Sequence, residues 1–134
     1  MDQAKQALKG SPRRDAFKQW HKPPNMPNDF YACDLDFVLV VKKPIARIVA
    51  ILDYKRDGEG VTFSEVIAYN NLTDAGWPIY LVSTEPDMPP YATFTVVQYV
   101  SGDWRPDPPK CELATVLTRV THDVFRAWEA GLRS

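Results

Sequence analysis

At 134 residues, with 45% hydrophobic and 25% charged side chains, the chain is expected to form one soluble domain spanning 1–134, large enough to bury a core. No apolar run reaches the roughly 20 residues of a membrane span, and the opening MDQAKQALKG lacks the apolar centre of a secretory signal. Cys33 and Cys111 make no CxxC pair, so a disulfide framework is not expected and a cytoplasmic location is. The net charge of −1 conceals a division, with 11 Lys and Arg against 6 Asp and Glu in residues 1–56, and 5 against 11 in the remainder. A basic half suits a polyanionic partner, although segregated solvated charges give the same pattern.

In chain order, residues 2–9 can begin a helix that breaks at Gly10-Ser11-Pro12. Pro12 then suits the first turn of a second helix, where Ala16, Phe17 and Trp20 share a face, and Pro23-Pro24 end it. After the loop PPNMPND come two apolar runs read as strands near 32–41 and 46–54, joined around Lys43-Pro44. Their unbroken apolar character predicts strands covered on both faces. Thr62-Phe63-Ser64-Glu65 has capping-box spacing and starts a helix to about Ala75, with Ala68, Leu72 and Ala75 on one face and Gly76 after its end. Ile79–Ser83 and Ala92–Val100 read as strands around the loop EPDMPP. SGDWRPDPP reads as a turn-rich excursion. From about Cys111 to Leu132, Leu113, Val116, Leu117, Val120, Val124 and Trp128 fit one amphipathic helix.

The chemistry gathers at one end of the hairpin. Asp34 and Asp36 open its first strand, and its second ends in Asp53-Tyr54-Lys55. Side chains alternate along a strand, so Asp53 and Lys55 share a face, as do Asp34 and Asp36. Two or three carboxylates and one ammonium at one sheet end form a layout that can hold a divalent metal and activate water against a phosphodiester. A solvated Asp–Lys pair capping the hairpin is the plainer alternative.

An Asp before an apolar strand, then a hairpin, then ILDYK, resembles the PD-(D/E)xK nuclease superfamily over about residues 13–84, with SEVIAYNNLTDAG and WPIYLV matching the helix and strand that follow its catalytic hairpin. The resemblance implies an α/β chain with a compact restriction-endonuclease-like fold: a mixed central sheet flanked by helices, in the order α-β-β-α-β-β-α. It implies a metal-dependent nuclease using Mg²⁺ or Mn²⁺, with nucleic acid as partner, DNA ahead of RNA. Asp36 and Asp53 would bind metal, with Asp36 preferred over Asp34 because it directly precedes the apolar strand. Asp34 would assist as a further ligand or support, and Lys55 would position water and stabilise developing charge. Tyr69, Asn70 and Asn71 lie on the helix that, in this fold, often turns a polar residue toward the site.

Arg13, Arg14, Lys18, His21 and Lys22 are the candidates for binding substrate. His21 can also be a helix-end histidine favoured by the dipole, and the cations can be a solvated helix face. A calcium loop counted from Asp53 is excluded by Lys55 at its third position, and no zinc-ligand spacing is present. The reading from another class is a non-catalytic nucleic-acid- or protein-binding module on the same fold. No membrane association is expected, and a homodimer is compatible with the sequence.

Overall fold

The computed structural model describes residues 11–56, 58–85 and 92–133. The helix expected at 2–9, Asp57 of the turn, and most of EPDMPP lie outside these residues. The chain divides into two compact units, one ending at Cys33 and the other beginning at Asp34.

The first unit is built on helix α1, Pro12–Trp20. Ser11 caps it by accepting the Arg14 N–H at 3.2 Å, and Pro12 supplies a pre-set first turn that needs no backbone donor. The helix buries none of its residues, so the face carrying Phe17 and Trp20 is exposed. A 3₁₀ turn at Pro23–Asn25 follows, with the Asn25 side chain donating to the Gln19 carbonyl at 2.8 Å.

The second unit is a five-stranded mixed sheet with a helix on each face. Its strands are β1 Phe37–Val41, β2 Arg47–Tyr54, β3 Ile79–Glu85, β4 Thr93–Asp103 and β5 Lys110–Val120, hydrogen-bonded in that order. Only β2 and β3 run parallel; the other neighbours are antiparallel. Helix α2, Phe63–Asp74, makes the crossover between the parallel pair, and α3, His122–Gly131, closes the unit. No helix among the described residues is long and apolar enough to cross a membrane.

The α/β class and the mixed sheet match expectation, but the element order is α-β-β-α-β-β-β-α. The single helix expected from Cys111 to Leu132 is strand β5 followed by the shorter α3. The segment CELATVLTRV is rich in β-branched residues, which favour a pleated strand over a helix. Bulges obscure its period: Val96 pairs with Leu117 and Val97 with Thr115, leaving Val116 as an extra residue. A second irregularity leaves Arg119 at φ 47° with its N–H on the Thr95 hydroxyl, 3.1 Å away. Val116, Leu117 and Val120 thereby all reach one core, which mimics a helical stripe in the sequence. β4 also runs through Asp103, three residues beyond the strand expected.

Strand alternation divides the interior in two. On the α3 side, Leu52, Val82, Phe94 and Val96 pack with Phe125, which stacks on Phe94 at 4.5 Å between ring centres. On the α2 side, Ile51, Ile79 and Leu81 pack with Tyr69 and Tyr99. β2, β3 and β4 are thus covered on both faces, whereas Phe37, Val38 and Val40 of edge strand β1 stay exposed. Truncating Phe125 removes the ring that anchors α3, so Phe125→Ala should cost about 3–5 kcal/mol. Urea unfolding should show this as a lower midpoint at unchanged slope.

Candidate active site

Asp36 and Asp53 face each other across the β1–β2 pair, one step beyond the register partners Phe37 and Leu52. Their contacts are reciprocal. The Asp36 N–H donates to Asp53 Oδ1 at 2.8 Å, and the Tyr54 N–H donates to Asp36 Oδ2 at 2.8 Å. The two carboxylates therefore replace backbone carbonyls as acceptors where the hairpin pairing ends. Asp36 is exposed, whereas Asp53 is 2% exposed.

Lys55 continues β2 past its last ladder position, its N–H bonding the Val82 carbonyl at 2.8 Å. This keeps its side chain on the Asp53 face, and it is 8% exposed. Its ammonium meets Glu65 Oε2 at 2.5 Å and Glu59 at 3.7 Å. Glu65 serves two partners at once. Its Oε1 accepts the Thr62 N–H at 2.9 Å and so completes the capping box of α2, while Oε2 holds the lysine.

One helical turn on, the Tyr69 hydroxyl donates to Asp53 Oδ2, with Glu65 Oε2 also near it at 3.3 Å. The ring of Tyr69 lies edge-on to Tyr99, 5.1 Å between centres. The Tyr99 hydroxyl in turn donates to Asn70 at 2.6 Å, and burial pushes its pKa up to about 12. Gly102 is required beside it. A Cβ there would lie 2.5 Å from the Tyr99 hydroxyl oxygen, so that the ring would have to shift, and a tight 3.1 Å from the Lys110 carbonyl oxygen.

Opposite forces set the protonation of the two acids. Burial raises the Asp53 pKa; the bonds from Tyr69 and Asp36 work against this, and the charges of Asp36 and Glu65 add to it. Burial also pushes on Glu65, but the bonds from Lys55 and Thr62 outweigh it and hold the carboxyl below its ordinary range.

The sequence-predicted residues thus divide. Asp36 and Asp53 meet directly, Lys55 is joined to them through Glu65 and Tyr69, and Asp34 lies exposed two residues upstream of Asp36. Arg13, Arg14, Lys18, His21 and Lys22 belong to the N-terminal compact unit. His21 is the C-cap of α1, with its ring Nδ1 donating to the Phe17 carbonyl at 2.7 Å, as a helix-end histidine does. Sequence reasoning treated Glu65 as a cap and named Tyr69, with Asn70 and Asn71, on a helix that often turns a polar residue toward the site, without assigning it a partner. The i, i+4 spacing of Glu65 and Tyr69 on the helix after an Asp-x-Lys strand was the signal available. Among the described residues, no three His, Cys, Asp or Glu side chains are grouped to hold a metal ion. No family model, no curated protein and no solved structure matches this chain.

The pKa directions yield a test. A raised folded pKa means that folded Asp53 retains a proton that the unfolded chain releases. Its contribution to stability therefore declines as pH rises from the ordinary value of 3.8 through the folded value. Asp53→Asn should abolish that decline and leave the protein at least as stable as wild type at neutral pH. The amide still accepts the Asp36 N–H, and its NH₂ can donate to a Tyr69 hydroxyl turned toward Glu65. Glu65→Gln should act the other way, because a lowered folded pKa stabilises above the ordinary 4.5 and is lost as pH falls through the folded value. Urea midpoints measured across the acid-to-neutral range check both signs.

Proposed function

We propose that this chain is a metal-dependent nuclease of the PD-(D/E)xK type, hydrolysing phosphodiester bonds of nucleic acid, with DNA preferred to RNA. The observation that carries the reading is the convergence of Asp36, Asp53 and Lys55 with Glu65 at the end of a hairpin–helix–parallel-strand unit. The order of that unit supports the restriction-endonuclease-like architecture, to which β4 and β5 are added on the far side of the sheet.

The donor set suits magnesium or manganese. Mg²⁺ typically takes one or two protein carboxylates and keeps several waters, so a cage of three protein ligands is not required. Asp36 is exposed, and a carboxylate that accepts one hydrogen bond retains further lone pairs, so Asp36 and Asp53 would hold the ion together. Bound there, the ion would supply Lewis-acid polarisation of a phosphoryl oxygen and a more acidic water. Asp36, Asp53, Glu59 and Glu65 outnumber Lys55, and such an excess of negative charge around a buried carboxylate favours an added cation.

Within this frame Tyr69 and the Asp36 N–H fix the Asp53 carboxylate, and its burial leaves the Asp36 side as the route of approach. Glu65 keeps the Lys55 ammonium oriented, so that its remaining donors face the charge that develops on the phosphate. The tight Lys55–Glu65 pair also favours a second reading, a binding module in which that pair only joins β2 to α2.

Labelled DNA and RNA incubated with Mn²⁺ or Mg²⁺ distinguish the two. Cleavage should occur with metal, cease in EDTA and be lost in Asp53→Asn. Lys55→Ala should slow it by about 10²–10³-fold, the usual effect of removing a transition-state donor. Metal should raise the melting temperature of wild type and Lys55→Ala but not of Asp53→Asn. No cleavage together with a metal-indifferent melt would favour the module.

A further inference from the structure

Past Lys55 the same sheet face continues as an open groove of about 360 Å³ that neither Asp36 nor Asp53 lines. Lys55 and Arg56 stand at one end. Ser83 of β3 and Thr95 of β4 are register partners, which places two hydroxyls side by side on the floor. Val97 and Leu113 make the apolar part of the wall. The Thr95 oxygen accepts the Arg119 N–H, which leaves its own proton to donate elsewhere. The volume is that of a small-ligand cleft, with apolar walls and a few placed polar groups.

We propose that this groove receives the base and sugar of one unpaired nucleotide, so that the substrate of the proposed nuclease is single-stranded nucleic acid or a frayed end. The inference rests on the nuclease reading, since it places the nucleotide's phosphate at the Lys55–Arg56 end that the groove shares with the catalytic cluster. A flat body with an apolar surface and a hydrogen-bonding edge suits Val97 and Leu113 on one side and the two hydroxyls on the other. A base inside a duplex is stacked and paired on both sides and cannot enter such a cleft without being unpaired. Unpaired bases, by contrast, are commonly taken onto apolar or aromatic surfaces beside a cationic strip. Glu59 stands at the same end, 3.7 Å from the Lys55 ammonium and accepting the Arg56 N–H at 3.0 Å, so a phosphate arriving there would compete with it for Lys55.

Fluorescence anisotropy in EDTA, where cleavage is off, tests the groove apart from the chemistry. Wild type should bind a short thymidine single strand about tenfold more tightly than a blunt duplex of equal length, and thymidine 5′-monophosphate should compete. Leu113→Trp fills the groove from its exposed wall and should weaken single-strand binding by about tenfold while duplex binding stays unchanged. Should that variant melt far below wild type, Ser83→Ala decides instead, with weaker competition by the mononucleotide as the expected result. Equal single-strand binding by wild type and the folded groove variant, or no competition by the mononucleotide, overturns the proposal. If these binding results hold but no metal-dependent cleavage is found, the nuclease reading fails and the groove stands. If cleavage requires Asp53 and Lys55 but is indifferent to Leu113→Trp and Ser83→Ala on single strands, the groove alone fails.

Discussion

A carboxylate buried to 2% exposure imposes conditions on everything around it, and Asp53 imposes them here. An ionised carboxylate removed from water must be supplied with donors, and two come from different elements: the Asp36 backbone at the mouth of β1 and the Tyr69 hydroxyl on α2. α2 must therefore begin close enough to β2 for its second turn to reach the sheet. The capping box at Thr62 fixes that start, and the same Glu65 that forms it binds Lys55. Tyr69 is held by Tyr99, which in turn needs the missing side chain at Gly102. One buried acid thus ties β1, β2, α2 and β4 into a single arrangement.

Such an arrangement is a poor way to gain stability. Buried ionic groups commonly contribute less than apolar residues of similar size, because desolvation offsets their attraction. The α3 side shows the economical alternative, with Leu52, Val82, Phe94, Val96 and Phe125 buried together and no charged group among them. The α2 side instead retains two tyrosines, a buried aspartate and a buried lysine. Perturbed protonation of this kind accompanies structural ion-pair networks as well as sites of chemistry. The division of the two faces is what lets one carry the fold while the other carries the charges.

Much of this was legible before the structure. The hairpin, the capping box and the strand after α2 all announce themselves through local signals: apolar runs, Thr62 and Glu65 at cap spacing, Gly76 after the helix end. Asp53 and Lys55 share a face for the simple reason that strands alternate. β5 was not legible, because the two bulges move Val116 and Val120 out of strict alternation and into a spacing that a helix also gives. The partnership of Glu65 with Lys55 was hidden for a different reason. It depends on the chain between Arg56 and Val61 returning α2 to the end of β2, which no local pattern encodes. That Asp53 is sealed rather than open to water was equally invisible, since burial of a strand-end acid depends on which helix residue lies over it.

The register of β1 on β2 is the detail on which the site turns. From Phe37↔Leu52 to Leu39↔Ala50 the pairing is regular, and its irregularity falls between Leu39 and Val40, toward the far end of the hairpin. Because side chains alternate and β2 is held by its own pairing with β3, a slip of one residue at the near end would turn the side chains of β1 to the opposite face. Leu39 would then leave the core on the α3 side, and Asp53 would lose the Asp36 N–H that it accepts. The reciprocal bonds between Asp36 and the Asp53–Tyr54 segment oppose that slip directly, since they form only in this register. The residues proposed to act on substrate are therefore also those that specify the strand pairing, and the bulge is tolerated at the end where no such side chains are aligned.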